Sequence, residues 1–533
     1  MPSASTTRRT VVALAAVAAG LAFTSTPASP APQAATDLPD GPALARNLVR
    51  KVTVSAINRH LIALQRFTDR NGGNRAAGTN GHVESAEYVA GKLEAAGFVV
   101  TRQEFPFTFD QTLAQSLSVA GTAVPISRMT YSPSTPTGGI TAPLAVVPVD
   151  DTPGCEASDY TGVDVTGKIA LIKRGGCTFL LKSQLAADAG AVGAVIYNNV
   201  PGALAGTLGD PAAVRIPTGG ITLADGEALA TRNGAATTLE LRGTTEPRTT
   251  YNVIAETQTG RHDNVVMAGA HLDSVTAGGG INDNGSGSAA LLETALQLGS
   301  SPRVNNALRF AWWGAEELGL IGSNFYVDSL DFEEQLNIAL YLNFDMIASP
   351  NAAYFVYDGD NSDGVGAGPG PFGSAQIESA FVEFLDAAGI PTEGTDFTGR
   401  SDYGRFIAVG IPAGGLFTGA EGIKTPAQAD KWGGAANVAY DPCYHAACDN
   451  LGNLDRVALD RNADAMAWVA ASYGISTEDV NGIPPDASAA TVAKSKANAS
   501  KARFTSLMRT MSADATATAA HAPHAFCDHV VAE

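Results

Sequence analysis

Six side chains, His271, Asp283, Glu316, Glu317, Asp345 and His445, are of the types that hold divalent cations and move protons. His271 closes the apolar run VVMAGA, Glu316 and Glu317 follow ALRFAWWGA, and Asp345 follows IALYLNF. Ligands in open α/β sheets gather outside the carboxyl ends of the strands, so three strands would deliver polar groups to one rim. Asp283 lies in GGGINDNGSGS, where glycines let a loop bring a carboxylate close to something small. A single strand-end acid is more often a helix cap or a surface group, so it is the convergence that points to chemistry. His445 lies in DPCYHAACDN, between Cys443 and Cys448. Those cysteines could staple a loop around an incidental histidine or hold zinc through both thiolates. In an exported chain a disulfide that holds His445 rigidly is the preferred expectation.

Two imidazoles and three carboxylates, one carboxylate being shared, would give each of two ions one histidine and one terminal carboxylate. That mixed nitrogen and oxygen set suits two Zn²⁺ ions per chain. Glu316 is then a carboxylate beside the ions but not bound to them, which suits a general base.

The elements that must position these groups are legible. After Tyr251, short apolar strands alternate with helices: VVMAGAH, SAALLETALQLG, ALRFAWWG, IALYLNFDM. The alternation predicts an α/β fold, a mixed, mainly parallel sheet sandwiched by helices. Upstream, Val83, Ala86, Val89, Ala90 and Leu93 recur at helical spacing, Gly97 supplies a stop, and Phe98 to Val100 begin a strand. YSPSTPTGGITAP then signals a boundary. The next stretch is rich in Val, Ile, Thr and Gly, with KIALIKRG and AVGAVIYNN as strands flanking the helix SQLAADAG. It reads as an inserted β-rich domain.

Length and charge bound the rest. A chain of 533 residues exceeds one ordinary core. A net charge of −19 argues against nucleic acid and anionic membranes as partners. Arg8 and Arg9 precede an apolar run from Val11 to Phe23 and then small residues and prolines, the order of a secretory signal peptide. The expected product is a secreted, extracellular monomer, and no other run is apolar long enough to span a membrane. Five cysteines fit two disulfides, Cys443–Cys448 and Cys155–Cys177, with Cys527 left over. The expected divisions are a signal peptide (1–35), a first part of the main domain (36–135), the insert (136–245), a second part of the main domain that carries the six side chains (246–475) and a low-complexity tail (476–533). That tail, with little to bury, is expected to add nothing to the core.

HLDS, NDNGSGSAALLE, GAEELGLIGS, NFDMI, GRSDYGRF and CYHAACDN together resemble the co-catalytic dizinc aminopeptidases, in particular the secreted Streptomyces-type leucine aminopeptidases. The likeness runs from about Leu44 to Gly474, outside the insert. It implies that His271 and Asp345 hold one zinc, Glu317 and His445 the other, and that Asp283 bridges them. It implies Glu316 as the base, Tyr444 as the donor to the tetrahedral intermediate, Arg400 near the substrate, and the Asp273 carboxylate orienting His271. Where the family often has Asp-Asp, this chain has Asp283-Asn284, which keeps the bridging ligand. The insert, through GKIALIKRGGCTF, resembles a protease-associated domain, which could screen access, bind substrate or act as a spacer.

The activity so implied is removal of N-terminal residues, large apolar ones such as Leu, from peptides and proteins with a free N-terminus. A carboxypeptidase of the same superfamily is the enzymatic rival, with Arg400 and Arg405 available for a C-terminal carboxylate. A binding protein on this scaffold is the non-enzymatic one, and the full set of ligands argues against it. Asp460 and Asp464, one helical turn apart, would suit a structural Ca²⁺ or stand as solvated surface groups. His521, His524, Cys527 and His529 give the tail zinc-binding character, so it is either a plain end or a pro-segment that covers the open metal position.

Overall fold

The computed structural model describes residues 41–366 and 368–501. The predicted signal peptide and the tail residues His521, His524, Cys527 and His529 lie outside the described residues.

Among the described residues fourteen strands form one continuous sheet: β1 Val99–Val119, β2 Thr122–Val124, β3 Ser127–Arg128, β4 Ile140–Val146, β5 Ile169–Lys173, β6 Gly193–Tyr197, β7 Thr218–Ile221, β8 Ala236–Glu256, β9 Arg261–His271, β10 Asn306–Trp313, β11 Ile338–Phe344, β12 Phe355–Tyr357, β13 Glu393–Thr395 and β14 Ala413–Phe417. Their order is β13-β12-β14-β11-β9-β10-β8-β4-β5-β6-β7-β3, with β1 pairing β8 and β2. The strands β14, β11, β9 and β10 run parallel. Antiparallel β8 closes one side of them and antiparallel β12 the other. This is the expected mixed, mainly parallel sheet. Helices Val54–Arg70, Gly285–Leu298 and Arg456–Ile475 bury Leu61, Leu291 and Met466 against it in one large core. Adjacent Trp312 and Trp313 enter opposite faces, as the two-residue period of a strand requires.

The insert hangs from a two-stranded ribbon. β1 and β8 pair antiparallel from Val99↔Glu256 to Val119↔Thr237, interrupted by an irregularity between Thr112 and Ala114. One end of β8 pairs β10 of the parallel part of the sheet, and the other pairs β4 of the insert. Within the insert, β5, the helix Phe179–Asp188 and β6 form the expected strand–helix–strand unit around separate apolar cores.

Two details differ from the sequence expectation. Val83 is 42% exposed, because the first turn of helix Asn80–Ala95 turns His82 inward toward Tyr251 instead. The tail also contributes buried residues as far as Val492. Val480 belongs to the main core, Val492 is buried, and residues 489–501 are helical. Alanine and lysine read as low complexity but are strong helix formers, and a few apolar residues suffice to dock such a helix.

Candidate active site

β11, β9 and β10 are neighbours, so their carboxyl ends bring His271, the Glu316–Glu317 turn and Asp345 to one rim. The backbone there leaves ordinary geometry. Ala315, Met346 and His445 all have positive φ, between 48° and 57°, although none is glycine. Such strain survives where surrounding structure fixes it, and it concentrates at functional sites.

Asp283 arrives from the other side, on the loop before helix Gly285–Leu298, and the Asp283–Asn284 peptide is cis. Asn284 caps that helix by accepting from the Gly287 amide at 3.0 Å, and its amide donates to the Phe344 carbonyl at 2.8 Å. The close approach explains Gly287: a Cβ there would stand 2.3 Å from the Phe344 oxygen.

His445 comes from a loop rather than a strand. The disulfide Cys443–Cys448 closes that loop, which settles the choice between staple and thiolate ligands, and Cys155–Cys177 is also bonded. Tyr444 stacks on His445 with ring centroids 3.8 Å apart. Asp449, which the sequence reading missed, accepts from the amides of Asn282 and Asp283 at 2.8 and 3.0 Å. Its place one residue after Cys448 was the available signal.

The geometry of the cluster is specific. Nε2 of His271 stands 3.2 Å from Oδ1 of Asp283 and 3.3 Å from Oδ1 of Asp345. Nε2 of His445 stands 2.9 Å from Oε2 of Glu317 and 3.3 Å from Oδ2 of Asp283. Asp283 thus turns one oxygen to each of two triads, His271/Asp283/Asp345 and Asp283/Glu317/His445, each compact enough to hold an ion. Glu316 belongs to neither, and its Oε2 lies 3.9 Å from His271 Nε2.

Supporting contacts fix these groups. Ser401 Oγ donates to Asp345 Oδ2 at 2.6 Å and accepts from Asn343 at 2.8 Å. Asp273 meets His271 Nδ1 through its main-chain oxygen at 3.2 Å; its carboxylate Oδ1 is 3.7 Å from that nitrogen and accepts from the Glu316 amide at 3.1 Å. Exposed Arg400 donates to Glu421 at 2.8 Å and to the Tyr444 hydroxyl at 3.2 Å. Asp460 and Asp464 lie on helix Arg456–Ile475, and no third His, Cys, Asp or Glu joins them among the described residues.

The electrostatics call for a cation. Burial resists charge on both imidazoles. Even so, Glu316 and Asp345 around His271, and Glu317 and Asp283 around His445, raise them well above the usual histidine range. Burial, with Asp402, Glu317 and Asp345 nearby, pushes the Glu316 carboxyl well above its usual range, against the pull of His271. Asp345 Oδ1 and Glu317 Oε1 are buried without a hydrogen-bond partner. Buried carboxylate oxygens are costly unless a donor or an ion meets them. Two imidazoles, three carboxylates and orphaned oxygens therefore fit divalent metal of the zinc type.

A mainly parallel α/β sheet with two candidate metal-binding triads at its carboxyl rim is the arrangement expected of a metallohydrolase. The profile of Peptidase family M28 matches residues 252–470, and that of the PA domain matches residues 140–229. A Mycobacterium tuberculosis protein named "Probable lipoprotein aminopeptidase LpqL" is 47% identical over 452 residues, 84% of this chain and 90% of the other. Leucine aminopeptidase 2 of Trichophyton tonsurans is 47% identical over 435 residues, 81% and 86% of the two chains. The structure of a zinc aminopeptidase from Bacillus subtilis superposes with a TM-score of 0.57 at 28% identity, over 78% of this chain and 94% of that one. The chain belongs to peptidase family M28 and carries an inserted PA domain.

Proposed function

We propose that the chain is a zinc aminopeptidase that releases N-terminal residues, preferring large apolar ones such as Leu, from peptides and proteins. The observation that carries the reading is Asp283, whose two oxygens face two separate histidine–carboxylate pairs. His271 and Asp345 would hold one Zn²⁺, Glu317 and His445 the other, and Asp283 both. Such a pair of ions polarises a scissile carbonyl and acidifies a water. Glu316, left out of both triads, accepts the proton of the attacking water and delivers it to the leaving amine. Its burial suits a group that must carry a proton between the two steps. Tyr444 donates its hydroxyl proton to the developing oxyanion. Arg400, by donating to the Tyr444 oxygen, leaves that proton free to point at substrate.

The carboxypeptidase reading is weakened by the occupation of its arginines. Arg400 is engaged by Glu421 and Tyr444, and Arg405 pairs with Asp328 at 2.6 Å. Export is supported by the two disulfides, and no described helix is long and apolar enough to cross a membrane. The deciding assay compares Leu-p-nitroanilide with N-acetyl-Leu-p-nitroanilide, before and after chelation and zinc return. Cleavage of the free amine alone, lost with metal and restored by zinc, is expected. Equal cleavage of the blocked substrate would defeat the reading.

A further inference from the structure

Arg75 is among the largest fully buried side chains of the molecule, and it sits in the turn between helices Val54–Arg70 and Asn80–Ala95, remote in sequence from every residue of the rim. Its guanidinium meets main-chain carbonyls. Nε donates to Gly279 O at 3.0 Å, Nη2 to Gly280 O at 2.5 Å, and Nη1 to Leu272 O. The Arg75 amide donates to Ser274 Oγ at 2.9 Å, and the Ser274 amide donates to the Arg75 carbonyl at 3.3 Å. Ser274 Oγ in turn reaches Gly278 O at 3.0 Å.

These contacts all fall on the loop between His271 and Asp283. Leu272 follows the histidine directly, and Gly280 O also accepts from the Gly285 amide at 3.0 Å, at the start of the helix after Asp283. Gly280 itself has φ +58°, and a Cβ there would stand 2.2 Å from the Asp283 oxygen. A glycine-rich loop of this length has many conformations of similar energy, and the one held here places Asp283 Oδ1 3.2 Å from His271 Nε2. A planar fork that binds three carbonyls at once removes that freedom in a way a lysine point charge cannot.

We propose that Arg75 is a positioning residue for the metal centre, fixing the distance between His271 and Asp283 before metal enters. The proposal rests on the reading of those two residues as metal ligands. Burial lowers the guanidinium to about 10, with Asp273, Asp449, Asp283 and Glu317 opposing, so it stays cationic at neutral pH. A fixed positive charge beside the site repels a metal ion, so charge alone would make its removal tighten binding. Fork geometry predicts the reverse, and the sign separates the two.

The test is zinc affinity of the full-length chain by chelator competition, with melting temperatures in EDTA and in zinc, for wild type, Arg75→Lys and Arg75→Met. We expect the zinc Kd to rise about ten-fold or more in both variants, as for other groups that orient metal ligands. The melting gain produced by zinc should shrink more than the metal-free melting temperature falls. A zinc Kd within three-fold of wild type, or tighter, would overturn the proposal, since a purely structural arginine lowers both melting temperatures equally. If neither variant folds, Ser274→Ala removes the acceptor of the Arg75 amide and should raise the Kd at least three-fold; an unchanged Kd there overturns it too. A wild type that binds no zinc would refute the metal reading instead.

Discussion

Two groups of acidic residues in this molecule are alike in composition and opposite in circumstance. Asp283, Glu317 and Asp345 gather at the catalytic rim, and Asp150, Glu156 and Asp159 gather in the insert, each near a disulfide-closed loop. The insert group is partly exposed and satisfied by its own turn: Asp150 accepts from the Thr152 amide, Glu156 from the Thr152 hydroxyl, and Asp159 from the Glu156 amide. The rim carboxylates are almost wholly covered, stand beside two imidazoles, and keep oxygens without partners. Proximity of carboxylates is therefore a poor sign of a metal site. Burial with unmet oxygens is the stronger reason to propose one, because water and local amides cannot relieve it.

Breaking the rim should have the largest effect. Asp283→Ala removes an oxygen from both triads, so bound zinc should fall from about two per chain to background and activity with it. Elemental analysis checks this, and two ions retained in the variant would remove Asp283 from the shared position. Glu316→Gln should keep both ions while turnover drops ~10²–10⁴-fold. A near-normal rate would reassign the base.

The disulfides extend the same contrast. Replacing Cys443 and Cys448 by serine frees the loop that carries His445 and Asp449, so zinc occupancy should fall along with stability. Replacing Cys155 and Cys177 should cost about 3 kcal/mol of stability in the loop-entropy estimate and leave zinc stoichiometry unchanged. Denaturant melts with metal analysis distinguish the two, and equal zinc loss in both would erase the difference between the regions. Converting Asp150, Glu156 and Asp159 together to their amides should change neither zinc content nor kcat/KM by more than about two-fold, surface changes of this kind being small.

The smallest expected effect concerns Asp464. Burial, with Asp460 beside it, pushes its carboxyl up to about 7. An acid raised on folding penalises the folded state where it must ionise, so the penalty is full above about pH 7 and vanishes below about pH 4. Asp464→Asn should therefore raise the melting temperature at pH 8 by about 2 °C and leave it unchanged at pH 4, the effect being reduced by partial exposure. If the variant instead melts lower at pH 8, and wild type alone gains stability from Ca²⁺, the pair holds calcium.

Residue types and periodicity determined much by themselves. The strands ending in His271, Trp313 and Phe344 were legible because buried parallel strands are short apolar runs, and the residues at or just past their carboxyl ends meet at one rim whatever the loops do. The disulfide partners came from number and spacing. Only the tertiary structure decided how Asp283 reaches that rim, because a glycine-rich loop has no periodicity to fix its path. The groups that fix it, Arg75 from one interhelical turn and Asp449 from behind a disulfide, act through main-chain contacts made across 204 and 166 residues. A side chain that binds a backbone carbonyl or amide leaves no mark on the sequence of its partner. That is why the residues of the two triads could be picked out in advance and the framework holding them could not.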